Sequence, residues 1–227
     1  MKTKLAAEAL GSFFLFVTVV GSGIMAERLA GGNVAVALLG NTIATGAILF
    51  VLIAMLGPIS GAHFNPAVSL VMWLREELTG RLLLTFVVVQ LIAGIAGVWA
   101  AHMMFDEPIL QFSDKGRTGI GQWTGEFIAT FGLLLTILGT ARFRPAAIPA
   151  SVALYITAAY WFTSSTSFAN PAITVARSLS DSFAGIAPAD VPGFIIAQIA
   201  GALAAWALAK ILFAETKNPP ESLPAGF

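Results

Sequence analysis

The chain has 227 residues, 57% of them hydrophobic and only 11% charged, with a net charge of +0 and no cysteine. Charge balance excludes the basic field of a nucleic-acid binder, and the missing thiols exclude disulfides and thiolate metal sites. His63 and His102 are the only histidines, too few to build a metal centre, and no cofactor is expected.

A mean hydropathy of +0.86 makes a bilayer the expected solvent. A spanning helix needs roughly 20 mostly apolar residues. The first candidate, Leu5 to Met25, follows Lys2 and Lys4 as a signal peptide would, but its apolar run is too long for one and it reads as retained. The second runs from Val34 to Leu56 and is followed by a stretch, Gly57 to Glu76, too short and too broken by Gly, Ser and Pro to span. Leu82 to Met104, Trp123 to Ala141 and Ala146 to Phe162 are the third, fourth and fifth spans. A second broken stretch, Ser164 to Ser180, precedes the sixth span from Val191 to Phe213. Nothing remains for a separate soluble domain, so residues 1–227 read as a single unit with half-repeats of about 1–115 and 116–227.

The halves match. Glu8 and Phe13 in the first span are answered by Glu126 and Phe131 in the fourth. His63-Phe64-Asn65-Pro66-Ala67-Val68 is answered by Phe168-Ala169-Asn170-Pro171-Ala172-Ile173. With three spans per half, the second half enters the membrane from the opposite face. The predicted fold class is an all-α membrane protein, an inverted repeat of six transmembrane helices plus two re-entrant half-helices.

Proline favours the first turn of a helix, so each box reads as asparagine at the N-cap and proline at N1. Irregular backbone at membrane depth survives only when buried or beside a wet cavity. The Gly57 to Gly61 and Thr163 to Ser167 stretches are therefore expected to line a pore, with the two helix N-termini meeting near the bilayer centre. Each N-terminus carries about half a positive charge, and Asn65 and Asn170 offer amide donors to a passing oxygen.

Glu8 and Glu126 are acidic groups inside spans, and each has two readings. The carboxylate accepts backbone N–H groups from the re-entrant loop of its own half, or it snorkels to the interface from an early turn.

Between the spans, Lys2, Lys4, Arg75, Arg81, Arg142, Arg144, Lys210 and Lys217 fall on one side, and only Arg28, Lys115, Arg117 and Arg177 on the other. The bias predicts cytoplasmic termini in a multi-pass protein. Trp73 and Trp123 suit interfacial anchoring. Ala93 with Gly97, and Gly201 with Ala205, are small residues four apart that permit close helix crossings.

Two Asn-Pro-Ala boxes (Asn65, Pro66, Ala67 and Asn170, Pro171, Ala172), each with its upstream glutamate in a six-span chain, resemble the major intrinsic protein (aquaporin) family. The resemblance covers nearly the whole chain and implies an aquaporin-like fold, a passive channel rather than an enzyme, and a homotetramer in lipid with one pore per protomer. The residue after the second box, an arginine in most relatives, is Ile173 here. Counting back by the family's spacing gives Thr45, Ala158 and Ser167 as the other constriction positions, which implies a wide, weakly polar, uncharged filter. Such a filter suits water, glycerol-like polyols and neutral metalloid acids such as arsenous acid. The stretch from Phe168 to Ile186 further resembles bacterial channels associated with arsenical resistance, which implies a bacterial inner membrane.

Arg177 lies one turn beyond Ile173. It either restores positive charge to the outer vestibule, or caps the short helix or pairs with Asp181. A secondary transporter built on inverted repeats is the alternative reading, although no coupling group stands out. No pairing of a nucleophile with a base, and no set of metal ligands, stands in the sequence to support a membrane enzyme.

Overall fold

A computed structural model describes residues 1–214, so Lys217 and the end of the second half-repeat lie outside the described residues. The helices are α1 (Lys2–Leu29), α2 (Val34–Ser60), α3 (Pro66–Leu74), α4 (Gly80–Met104), α5 (Ile120–Phe143), α6 (Ile148–Phe162), α7 (Pro171–Arg177) and α8 (Val191–Leu212). Single 3-10 turns at Pro145–Ala147 and Pro188–Asp190 lead into α6 and α8. Among the described residues, six helices are long and apolar enough to cross a membrane, α6 and α8 being counted with the 3-10 turns that lead into them; α3 and α7 are not among the six.

Local chemistry sets the boundaries. The Asn33 side chain accepts from the backbone N–H groups of Ala35 and Val36 at 3.1 and 3.3 Å, starting α2. Thr79 caps α4 by accepting from the Leu82 N–H at 3.3 Å. Such caps satisfy donors that have no partner inside the helix.

At the end of α2 the structure corrects the expectation from sequence. Gly57, Pro58, Ile59 and Ser60 continue the helix, and Pro58 and Ile59 face outward rather than lining a pore. A proline one turn from a helix end costs only the bond to the carbonyl four residues back, so the last turn survives it. The helix stops at Gly61, whose φ of 94° suits glycine.

α1 packs against α2 and α4, and α5 packs in the same way against α6 and α8, while α2 and α6 join the halves. Between lipid-immersed helices no hydrophobic drive exists, so close backbone approach must supply the attraction. Gly97 of α4 lies against the backbone of Phe13, and Gly201 of α8 against the backbone of Phe127. In each case a Cβ would collide with a carbonyl oxygen. Ala93, expected at the first crossing, is only half-buried; Gly94 takes that place and receives the Phe16 ring.

α3 packs on α4 of its own half and on α8, and α7 packs on α8 and on α4. Each half-helix thus rests on both halves of the chain.

Candidate functional site

α3 and α7 begin alike. Asn65 accepts from the Ala67 N–H at 2.9 Å, and Asn170 accepts from Ala172 and Ile173 at 3.0 and 3.3 Å, with proline at the first helical position of each. The carboxamides then cross between halves. Asn65 Nδ2 donates to the Ala169 carbonyl at 2.7 Å, and Asn170 Nδ2 donates to the Phe64 carbonyl at 2.8 Å. Each amide has two N–H donors, so this pairing commits one of them.

The loops entering the half-helices hold sparsely populated backbone conformations: Ala62 and Phe64 have φ of 51° and 47°, and Ser167 and Ala169 have 52° and 48°. Left-handed non-glycine residues cost of order 1–3 kcal/mol each and persist only when over-determined by their surroundings. A fully buried carboxylate supplies that constraint in each half. Glu8 accepts from the backbone N–H groups of His63 and Phe64 at 2.9 and 2.8 Å and from Ser60 Oγ at 2.7 Å. Glu126 accepts from Phe168 and Ala169 at 2.8 and 2.9 Å. Of the two readings open at the sequence level, the geometry matches the loop contact and not the interfacial one.

Sequence reasoning missed the second tier. Gln90 of α4 donates to Glu8 at 2.8 Å and to Ser69 Oγ at 3.2 Å, and Gln198 of α8 donates to Glu126 at 2.6 Å and to Thr174 Oγ1 at 2.8 Å. Each is the single glutamine of its apolar helix, a signal that was available.

Both boxes open on one cavity of about 250 Å³ that draws its wall from both halves. Leu15 and Val19 of α1 face it, as do Leu133 and Ile137 of α5, so most of the wall is apolar. Thr45, Ser167 and Ile173 line it, but Ala158 does not. Ala158 lies exposed on the outward face of α6, and the inward stripe is Ile148, Val152, Ile156 and Tyr160. Two residues along a helix turn a side chain by about 200°, so a small counting error moves a position from lumen to lipid. Tyr160 therefore stands where a small residue was expected, its hydroxyl 3.3 Å from Thr45 Oγ1.

The cavity is not uncharged throughout, although none of Thr45, Ala158, Ser167 and Ile173 carries a charge. Arg177 is fully buried and lines the same cavity. Its guanidinium carbon lies 3.3 Å from the Phe168 ring centroid, Nε donates to the Ala184 carbonyl, and the Tyr160 hydroxyl stands beside it. It makes no ion pair with Asp181 among the described residues, and Asp181 instead accepts from the Asp114 N–H at 3.2 Å. Nor does its Nε cap α7, since Ala184 lies beyond that helix.

Two more cations stand near this end. Arg117 donates to the carbonyls of Gly185 and Ser165 at 2.8 and 3.2 Å, and burial lowers it to about 10. Lys115 donates to the Phe183 carbonyl at 2.8 Å. Burial, and then the charges of Arg117 and Arg177, lower it to about 8. The opposite end of the cavity is marked by Glu77.

The comparisons agree with this geometry. A family model described as major intrinsic protein matches residues 1–161. Aquaglyceroporin AqpS of Rhizobium meliloti (strain 1021) is 53% identical over 226 residues, covering 97% of each chain. A probable aquaporin AqpM of Archaeoglobus fulgidus is 30% identical, covering 89% of this chain and 93% of the relative. Among solved structures, the aquaglyceroporin from Plasmodium falciparum aligns with a TM-score of 0.67 at 19% identity, over 93% of this chain and 96% of that one, which speaks to fold alone. Paired half-helices capped by two asparagines, six spans around them and these sequence matches lead to one conclusion: the chain belongs to the major intrinsic protein family of membrane channels.

Proposed function

We propose that this channel passes water, glycerol-like polyols and neutral metalloid acids such as arsenous acid down their gradients. The observation that carries the reading is the cross-bonded pair Asn65 and Asn170. Each uses one amide N–H on the other half and keeps a second for the lumen, at the point where two helix N-termini converge. A solute oxygen can accept there, while the two positive helix ends oppose a cation. Thr45, Tyr160 and Ser167 add hydroxyls to a mostly apolar wall, which suits neutral solutes carrying several hydroxyl groups.

In this reading residues 1–227 are a single channel unit with half-repeats dividing near residue 115. Glu8 and Glu126 anchor the pore loops, and Arg177 belongs to the outer vestibule. The bias of basic residues supports cytoplasmic termini, which sets the Arg177 end outward. The kinship with a Rhizobium protein supports a bacterial inner membrane, and the exposed apolar surfaces of α2 and α4 are available to lipid and to neighbouring protomers of a homotetramer.

Stopped-flow light scattering on proteoliposomes tests the proposal, with water, glycerol and arsenous acid run in parallel. Flux should rise linearly with the gradient and ignore protonophores and sodium. Flux that collapses with a protonophore would reject it.

A further inference from the structure

We propose that Arg177 supplies the fixed positive charge and the solute-facing donor of the constriction at its end of the lumen, delivered from one helical turn beyond Ile173. The inference rests on the channel reading above and names the residue that selects among its solutes.

The argument begins with what a buried arginine requires. A guanidinium is permanently charged and carries five N–H donors. Removing it from water without a carboxylate partner costs several kcal/mol. Arg177 is 2% exposed and forms no ion pair among the described residues. Its Nε is taken by the Ala184 carbonyl and its plane by the Phe168 ring, yet Nη1 is buried with no partner. The neighbouring Tyr160 hydroxyl leaves that donor unmet, and the lumen that the side chain lines is where a solute oxygen can come to meet it.

Arg117, also over the Phe168 ring, spends its donors on two backbone carbonyls and so braces the loops. The two arginines therefore have different work. Ser167 supports the assignment independently: its hydroxyl is also buried without a partner, and the residue lines the same cavity. With the Tyr160 hydroxyl beside the guanidinium, these groups make a cluster of donors and acceptors on the cavity that the branched alkyl group of Ile173 also lines. The ligand such a cluster fits is a small neutral solute with hydroxyl oxygens. A cation meets a fixed like charge in a low-dielectric passage and is rejected.

The test uses Arg177→Gln, which keeps donors but loses the charge, and Arg177→Lys, which keeps the charge but loses the planar fork. Both are reconstituted beside wild type and assayed for water, glycerol and methylammonium. Arg177→Gln should raise methylammonium permeability about tenfold relative to water, the change produced by removing ~1.4 kcal/mol of barrier. Arg177→Lys should still reject methylammonium but shift the glycerol-to-water ratio. Adding Ile173→Arg to Arg177→Gln should restore cation rejection, which a loop-bracing role for Arg177 would not predict. Wild-type methylammonium rejection in Arg177→Gln overturns the proposal. If that variant does not assemble, an unchanged glycerol-to-water ratio in Arg177→Lys overturns it. If wild type itself carries none of the neutral solutes, the channel reading fails instead.

Discussion

Single side chains decide which solutes fit, and here the residue scale gives the sharpest test. Tyr160 reaches Thr45 across the cavity, whereas Ala158 faces away from it. Tyr160→Ala should therefore raise glycerol flux relative to water, and Ala158→His should leave the ratio unchanged, both measured by stopped-flow swelling of proteoliposomes. A reversed pattern would mean that α6 presents a different face to the lumen. The asparagines were legible in the sequence because a cap followed by proline fixes backbone geometry within a few residues. Ala158 was misplaced because its assignment depended on counting through a loop into a helix, where an error of two residues reverses the direction. Arg177 was open for another reason. Spacing locates its Cα near the right face but cannot say where a long side chain curls, and the ring of Phe168 decides that.

Among elements, the six spans were readable nearly to their ends, since an apolar run of that length has few alternatives in lipid. The end of α2 was not, because a proline suggests a break that the last turn of a helix can absorb. How helices cross was half readable. Gly97 and Gly201 were visible as small residues, but which neighbour each admits depends on rotation about two helix axes. The structure gives them matching places against Phe13 and Phe127. Gly97→Ala and Gly201→Ala should each cost about 1–3 kcal/mol by overpacking, seen as a lower melting temperature in detergent. The two losses should add, because the crossings are separate. Gly121→Ala, whose new methyl group meets nothing, is the control and should not lower stability.

Across the whole molecule, the inverted repeat was legible from two matched pairs of landmarks, but the interlocking of the halves was not. It arises from carbonyls of Phe64 and Ala169, and backbone atoms leave no trace in a pattern of side chains. α3 on α8 and α7 on α4 extend the same exchange. Residues 1–115 and 116–227, expressed together as separate chains, should therefore copurify, while residues 1–115 alone should be cleared rapidly in a pulse-chase measurement. Independent persistence of the first half would show that it completes its own structure.

The crossed asparagine bonds also set a timetable for biosynthesis. Asn65 leaves the ribosome 104 residues before the Ala169 carbonyl that it must meet. At about 5–20 residues per second, that separation lasts roughly 5–20 s. Throughout that interval the first box has reached the bilayer without its partner. The insertion machinery, or a neighbouring chaperone, must shelter those polar groups from lipid until the second half threads in from the opposite side.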